Sequence, residues 1–156
     1  MSKIIEQLSW NNIHQGIDKL VNILRKDEYV PDVVITIGRG GLIPGALLTY
    51  KFNVKTVHNF SVQTYNDNDV KTHAIICTQE PGRSLEIKHR DSKVLVVDDI
   101  SDSGHTLEYI KNELSTNYGL NNIKFATLYT KKSTSFTPDY FVTEFPDESW
   151  VAFPWE

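Results

Sequence analysis

The stretch Val94-Leu95-Val96-Val97-Asp98-Asp99-Ile100-Ser101-Asp102-Ser103-Gly104-His105-Thr106 holds the end of a strand, a loop and the start of a helix within thirteen residues. Lys93 to Val97 lacks polar alternation, as expected of a strand covered on both faces. Beyond the loop, Leu107, Ile110 and Leu114 share one side of a helix expected from about Thr106 to Asn117, and Gly119 is a suitable stop. The same order recurs upstream. Val33 to Ile37 is a β-branched run, Gly38-Arg39-Gly40-Gly41 interrupts it, and Leu42 to Phe52 follows as a helix with Pro44 in its first turn. Outward from these two units, Ser9 can cap a helix through Ile13, Ile17, Leu20, Val21 and Leu24, which Pro31 follows. Thr56 to Val62, Ile123 to Tyr129 and Tyr140 to Thr143 supply further strands. Strands alternating with helices predict an α/β fold, a mostly parallel twisted sheet flanked by helices on both faces.

The chain has 156 residues, 40% hydrophobic and 23% charged, which predicts one domain over 1–156 with a sizeable core. A net charge of −4 lacks the positive surplus of a general nucleic-acid binder. Apolar runs are far shorter than the roughly 20 residues of a membrane span, and the amino-terminal MSKIIEQLSWNN has no signal-peptide core, so a cytoplasmic protein without membrane contact is expected. The lone Cys77 and the absence of Cys-x-x-Cys or His-Glu-x-x-His spacing argue against a disulfide framework or those metal sites. Gln63 to Arg90 is polar except for a strand-like Ala74 to Cys77. That is long for a connection, and it reads as a flexible flap able to close over a ligand.

In open α/β sheets ligands bind at the carboxyl ends of strands, which singles out Gly38 to Gly41, Asp98 to Thr106, and Lys131. Ser103, Gly104 and Thr106 lie where a loop enters a helix, and exposed N–H groups there favour a phosphate. Asp98, Asp99 and Asp102 repel phosphate and need other partners: a ribose diol, a metal ion or a proton on a base. A sugar phosphate satisfies both halves. Helix capping accounts for Asp102 and Ser103 but not for two further carboxylates at the strand end.

This string resembles the phosphoribosyl-pyrophosphate (PRPP) signature of the type I phosphoribosyltransferases. Ile37 to Leu48 is similar to the pyrophosphate loop and following helix of bacterial xanthine-guanine phosphoribosyltransferases, and Phe125 to Lys131 and Ser149 to Trp155 resemble their base-binding segments. The resemblance implies that Asp98 and Asp99 accept hydrogen bonds from the ribose hydroxyls and help hold Mg²⁺. It implies that Ser103, Gly104, His105 and Thr106 bind the 5′-phosphate through backbone and hydroxyl donors, with the His105 imidazole pointing outward. Asp102 is expected beside N7 of a purine, as hydrogen-bond partner or general base. Gly38, Arg39, Gly40 and Gly41 are expected to hold the pyrophosphate, with a non-proline cis peptide at Gly38-Arg39. Lys131 is expected to donate to the exocyclic oxygen at C6, Trp150 to stack on the base, and the backbone of Val151 to meet the C2 edge. In the flap, Thr64-Tyr65 stands where the family has Ser-Tyr. The chain ends six residues beyond Trp150, so a small C-terminal hood is expected; residues 77–90 carry no assignable motif.

The implied activity is that of a Mg-dependent glycosyltransferase of purine salvage and nucleotide biosynthesis. It joins guanine, xanthine or hypoxanthine to PRPP with release of pyrophosphate, in a homodimer or homotetramer. Rival readings are a PRPP-binding regulator of the same fold, another base specificity such as orotate or uracil, and a phospho-accepting receiver. The last is disfavoured by order, because a receiver's acidic pair closes the first strand, whereas only 57 residues follow Asp99.

Overall fold

The computed structural model describes residues 3–65 and 74–156. In chain order the elements are β1 (Ile4–Gln7), α1 (Trp10–Lys26), β2 (Val33–Gly38), α2 (Leu42–Phe52), β3 (Thr56–Tyr65), β4 (Ala74–Gln79), α3 (Ser84–Lys88), β5 (Val94–Ser101), α4 (His105–Thr116), β6 (Ile123–Lys131), β7 (Thr143–Phe145) and β8 (Ser149–Ala152). Six strands form one sheet in the order β4-β3-β2-β5-β6-β7, and β1 pairs with β8 in a separate two-stranded sheet. Neighbours in the large sheet are parallel except for the antiparallel β3/β4 pair.

The apolar runs of β2 and β5 are buried on both faces, as their lack of alternation predicts. Val34, Leu95 and Val97 face a core that includes α1 and Leu48 of α2, while Val33, Ile35, Val94 and Val96 face a second core with Leu107, Ile110 and Leu114 of α4. Ser9 caps α1 reciprocally: its Oγ accepts from Asn12 N–H at 3.1 Å, and Asn12 Oδ1 accepts from Ser9 N–H at 2.9 Å. The two central strands therefore end together, with α2 and α4 beginning just beyond them.

The strand expected at Tyr140 to Thr143 lies instead at Thr143–Phe145. Asp139 Oδ2 accepts from Phe125 N–H at 2.8 Å, leaving Tyr140 with an isolated bridge to Ala126. A side chain has taken a hydrogen bond that a ladder would use. The described residues of the polar stretch after Gln63 include regular structure: β3 runs out to Tyr65, β4 pairs beside it, and Leu85 of α3 is fully buried. Residues 66–73 of the expected flap lie outside the described residues. Among the described residues no helix is long and apolar enough to cross a membrane.

Candidate active site

Two adjoining openings lie at the carboxyl ends of β2 and β5. The first, about 500 Å³, is lined by Gly38, Arg39, Gly40, Asp98, Asp99, Thr64 and Thr106, with Trp155 and Glu156 closing one side. The second, about 420 Å³, shares Thr64, Asp98 and Thr106 and adds Asp102, Ser103, Gly104 and Trp150. Residues expected from four separate segments thus meet at one place. The peptide between Gly38 and Arg39 is cis.

The acidic pair is partly buried at the end of β5. Asp99 N–H donates to Asp98 Oδ1 at 2.8 Å and Ile100 N–H donates to Asp99 Oδ1 at 2.7 Å, which fixes both carboxylates. Burial lifts the Asp98 pKa well above the usual carboxylate range, and the charge of Asp99 adds to it. Burial raises Asp99 as well, with the nearby Glu156 charge acting in the same direction and hydrogen bonds opposing it. The Asp99 carboxylate stands against the glycine loop, with Oδ1 2.8 Å from where a Cβ on Gly40 would lie. No group of three His, Cys, Asp or Glu side chains suited to a metal ion occurs among the described residues. Two adjacent carboxylates beside a phosphate site fit Mg²⁺, which takes one or two carboxylates and fills its shell with substrate phosphates and water.

The loop at the start of α4 is braced from behind. Gly104 has φ +93°, and a Cβ there would lie 2.5 Å from the backbone nitrogen of Phe136. Ser135 donates to Ser103 O from both its N–H and its hydroxyl, each at 2.9 Å, and the Ser101 hydroxyl meets Thr134 Oγ1 at 2.9 Å and Phe136 O at 2.7 Å. These supports pack the β6–β7 turn under the loop. Sequence reading passed over them because hydroxyl-rich turns are common, and over Glu156 because only tertiary packing brings it to the cavity; Trp155 entered it only as the last residue of a base-binding segment. Trp155 is held there by stacking on Phe153, with centroids 4.8 Å apart, and by Trp10 at 5.9 Å.

Three expected side chains line neither of these two openings. His105 is exposed at the first position of α4, its N–H donating to Ser103 Oγ at 3.4 Å. Val151 packs into the α1-side core. Lys131 is only 6% exposed, so it is not a solvated surface lysine; its ammonium donates to Ser149 O and, at 3.4 Å, to Pro146 O. Trp150 is 51% exposed, and the Lys3 ammonium sits 5.2 Å from its ring centroid. The Tyr65 side chain lies outside what the structure describes.

An α/β sheet with a glycine loop and an acidic, hydroxyl-rich loop converging at its strand ends has the donors and acceptors that suit a phosphorylated sugar. Residues 8–156 match the family model of the phosphoribosyl transferase domain, and the chain belongs to that family. It is 30% identical over 154 residues to the xanthine-guanine phosphoribosyltransferase of Cereibacter sphaeroides, covering 96% of this chain and 85% of that one. Among solved structures, a purine phosphoribosyltransferase from Pyrococcus horikoshii superposes with a TM-score of 0.83 at 34% identity, covering 97% of this chain and 93% of that one. The xanthine-guanine-hypoxanthine enzyme of Helicobacter pylori gives 0.83 at 25%, covering 97% and 94%. A Neisseria gonorrhoeae protein solved with bound ppGpp gives 0.84 at 25%, covering 100% and 91%.

Proposed function

We propose that this protein transfers the 5-phosphoribosyl group of PRPP to a 6-oxopurine, guanine, xanthine or hypoxanthine, yielding a nucleoside 5′-monophosphate and pyrophosphate. The observation that carries the reading is the meeting of Gly38–Gly40, Asp98–Asp99 and Asp102–Thr106 in two adjoining openings. The names of the relatives point to the same substrates. A neighbour that holds ppGpp, a guanine nucleotide bearing pyrophosphate groups, supports it further.

The C1–pyrophosphate bond breaks as a purine ring nitrogen bonds to C1, and positive charge develops on the ribose. Gly38, Arg39 and Gly40 receive the departing pyrophosphate, with the guanidinium placed to take two oxygens. Asp98 and Asp99 hold the ribose hydroxyls and would hold Mg²⁺, whose chemistry when bound is to neutralise the leaving anion. Ser103, Gly104 and Thr106 bind the 5′-phosphate at the start of α4. Asp102, exposed in the second opening, accepts a proton or hydrogen bond from the base at N7. Trp150 offers one ring face to Lys3 and the other to the purine. An ammonium has three donors; Lys131 gives two to Pro146 and Ser149 and directs the third to the 6-oxo group. The flap bearing Thr64 and Tyr65 closes over the donor and keeps water from hydrolysing it. Exposed Leu42 and Tyr50 on α2, with Val57 on β3, supply apolar surface for a homodimer or homotetramer in the cytoplasm.

Incubation with PRPP, Mg²⁺ and each of guanine, xanthine, hypoxanthine, adenine, uracil and orotate, with products separated by chromatography, tests this. Nucleotide should form with one or more of the three 6-oxopurines. Consumption of none of the six bases defeats the enzyme reading, and preference for orotate or uracil defeats the base assignment.

A further inference from the structure

Gly38, Ser61 and Gln79 form one row across three strands, because Gly38 pairs with Ser61 and Ser61 with Gln79. Thr36 pairs with Asn59 two residues earlier, and the period of two puts Thr36 and Asn59 on the sheet face shared by Gly38 and Ser61. On that face the side chains are bonded in sequence. Thr36 Oγ1 donates to Asn59 Oδ1 at 2.8 Å, and Asn59 Nδ2 donates to Ser61 Oγ and to Gln79 Oε1, each at 2.8 Å. Both donors and the acceptor of the amide are used.

This chain lies directly beneath the glycine loop. The position a Cβ would take on Gly38 is 2.9 Å from Ser61 Oγ and 3.1 Å from Asn59 Oδ1, so the hydroxyl and the amide form its floor. A β-bulge explains how Gln79 reaches the same face. The β3/β4 register pairs Val62 with Cys77 but Ser61 with Gln79, passing over Thr78. A slip of one residue turns a strand's side chains to the opposite face. Without the bulge Thr78 would stand opposite Ser61, and Gln79 would face away from Asn59.

We propose that Asn59 is a positioning residue for the donor half of the site: it sets the height of the Gly38-Arg39 loop and ties that loop, through the bulge-delivered Gln79, to strand β4. The proposal rests on the phosphoribosyl-transfer reading, in which that loop receives the pyrophosphate. Asn59 touches no substrate. It acts by holding Ser61 and Gly38, so its loss should weaken pyrophosphate-bearing ligands and leave the base side unaltered.

The test is steady-state kinetics of Asn59→Ala, Gln79→Ala and the double variant, with pyrophosphate affinity measured separately by calorimetry in the presence of Mg²⁺. For Asn59→Ala the KM for PRPP and the dissociation constant of pyrophosphate should each rise about fivefold, the scale of one lost hydrogen bond. The base KM, and kcat at saturating PRPP, should stay within about twofold of wild type. Gln79→Ala should move the same two constants in the same direction by less, and the change should vanish in the Asn59→Ala background. An unchanged pyrophosphate affinity in Asn59→Ala overturns the proposal, as does an equal rise in both substrate KM values or an additive double variant. Should Asn59→Ala fail to fold, Gln79→Ala at its exposed position decides alone: weaker pyrophosphate binding supports the link and wild-type binding overturns it. A wild-type protein that turns over no base sinks the functional reading, while the calorimetric comparison still decides the role of Asn59.

Discussion

Gly41→Ala adds one methyl group where the glycine loop turns into α2. The glycine has φ −79° and ψ −8°, values open to any residue, so the effect is one of space alone. A Cβ would lie 2.8 Å from Ile37 O and 2.9 Å from Ile37 N, and nearer still to Val97 O. All three atoms are backbone, in β2 and β5 at the centre of the sheet, so no side chain can turn aside. Relief requires the loop itself to move by about half an ångström or more, against contacts ordinarily made at roughly 3.5 Å. Overpacking of this kind costs about 3 kcal/mol, at the upper end of its usual range. In a domain of this size that corresponds to a fall in Tm of about 6–12 °C. Displacement also strains the bonds Gly41 N–H to Ile37 O at 2.8 Å and Gly45 N–H to Gly41 O at 2.9 Å, which start α2. It shifts Arg39 and Gly40 from the pyrophosphate, so kcat/KM for PRPP should fall by about 100-fold. Gly119→Ala is the comparison: nothing lies within 4 Å of its Cβ position, but φ is +61°. It should cost only about 1 kcal/mol, the left-handed penalty, and leave turnover unaltered. Melting followed by circular dichroism, with kinetics on both variants, distinguishes them. A Gly41→Ala protein that melts with wild type and turns over like Gly119→Ala would refute the reasoning.

Asp102→Asn should lower kcat by about 100-fold while PRPP affinity stays near wild type, whereas Arg39→Ala should weaken PRPP and pyrophosphate binding; kinetics showing the reverse pattern would exchange their roles. Chelation of divalent cations should abolish turnover, and Asp99→Asn should weaken Mn²⁺ binding, read by electron paramagnetic resonance of the free ion; undiminished binding would remove Asp99 from the metal site. Ser9→Ala breaks the reciprocal cap of α1 and should cost about 1 kcal/mol with no change in kinetics, as measured by denaturant unfolding.

The parts of the fold legible in the sequence are those whose signal is local. β2 and β5 are short apolar runs that end in glycine or aspartate, and α1 shows both its cap and its apolar stripe within a few residues. The meeting of Gly38–Gly40 with Asp98–Thr106 at the two openings was legible for the same reason, since both are continuous segments at strand ends. What escaped reading depends on partners far along the chain. β1 is four mostly exposed residues with no alternation, and it is a strand only because β8 lies beside it, Ile4 opposite Ser149. Lys131 is singled out by its place at a strand end, but its burial under the carbonyls of Pro146 and Ser149 has no local signal in a Lys-Lys pair. Asn59 carries no motif at all; its bond to Gln79 depends on a bulge in the pairing of β3 with β4.

The same division separates rigid from adjustable parts of the site. Donor groups sit at the carboxyl ends of β2 and β5, buried on both faces and bonded to neighbours on each side. Trp150 sits on β8, in a two-stranded sheet whose other strand exposes Ile4 and Ile5. Two strands alone are marginally stable, and such regions open at lower free energy than a central sheet. The β1/β8 sheet therefore needs an anchor, and buried Lys131 supplies one by joining the end of β6 to the carbonyl next to Trp150. One lysine thus braces the strand that carries Trp150, since any change that frees its ammonium from Ser149 loosens that strand. If the proposed reaction holds, base preference can shift through the residues of β8 while the loops after β2 and β5 stay in place, whereas a change at Lys131 would alter the position of Trp150 and the proposed 6-oxo contact at once.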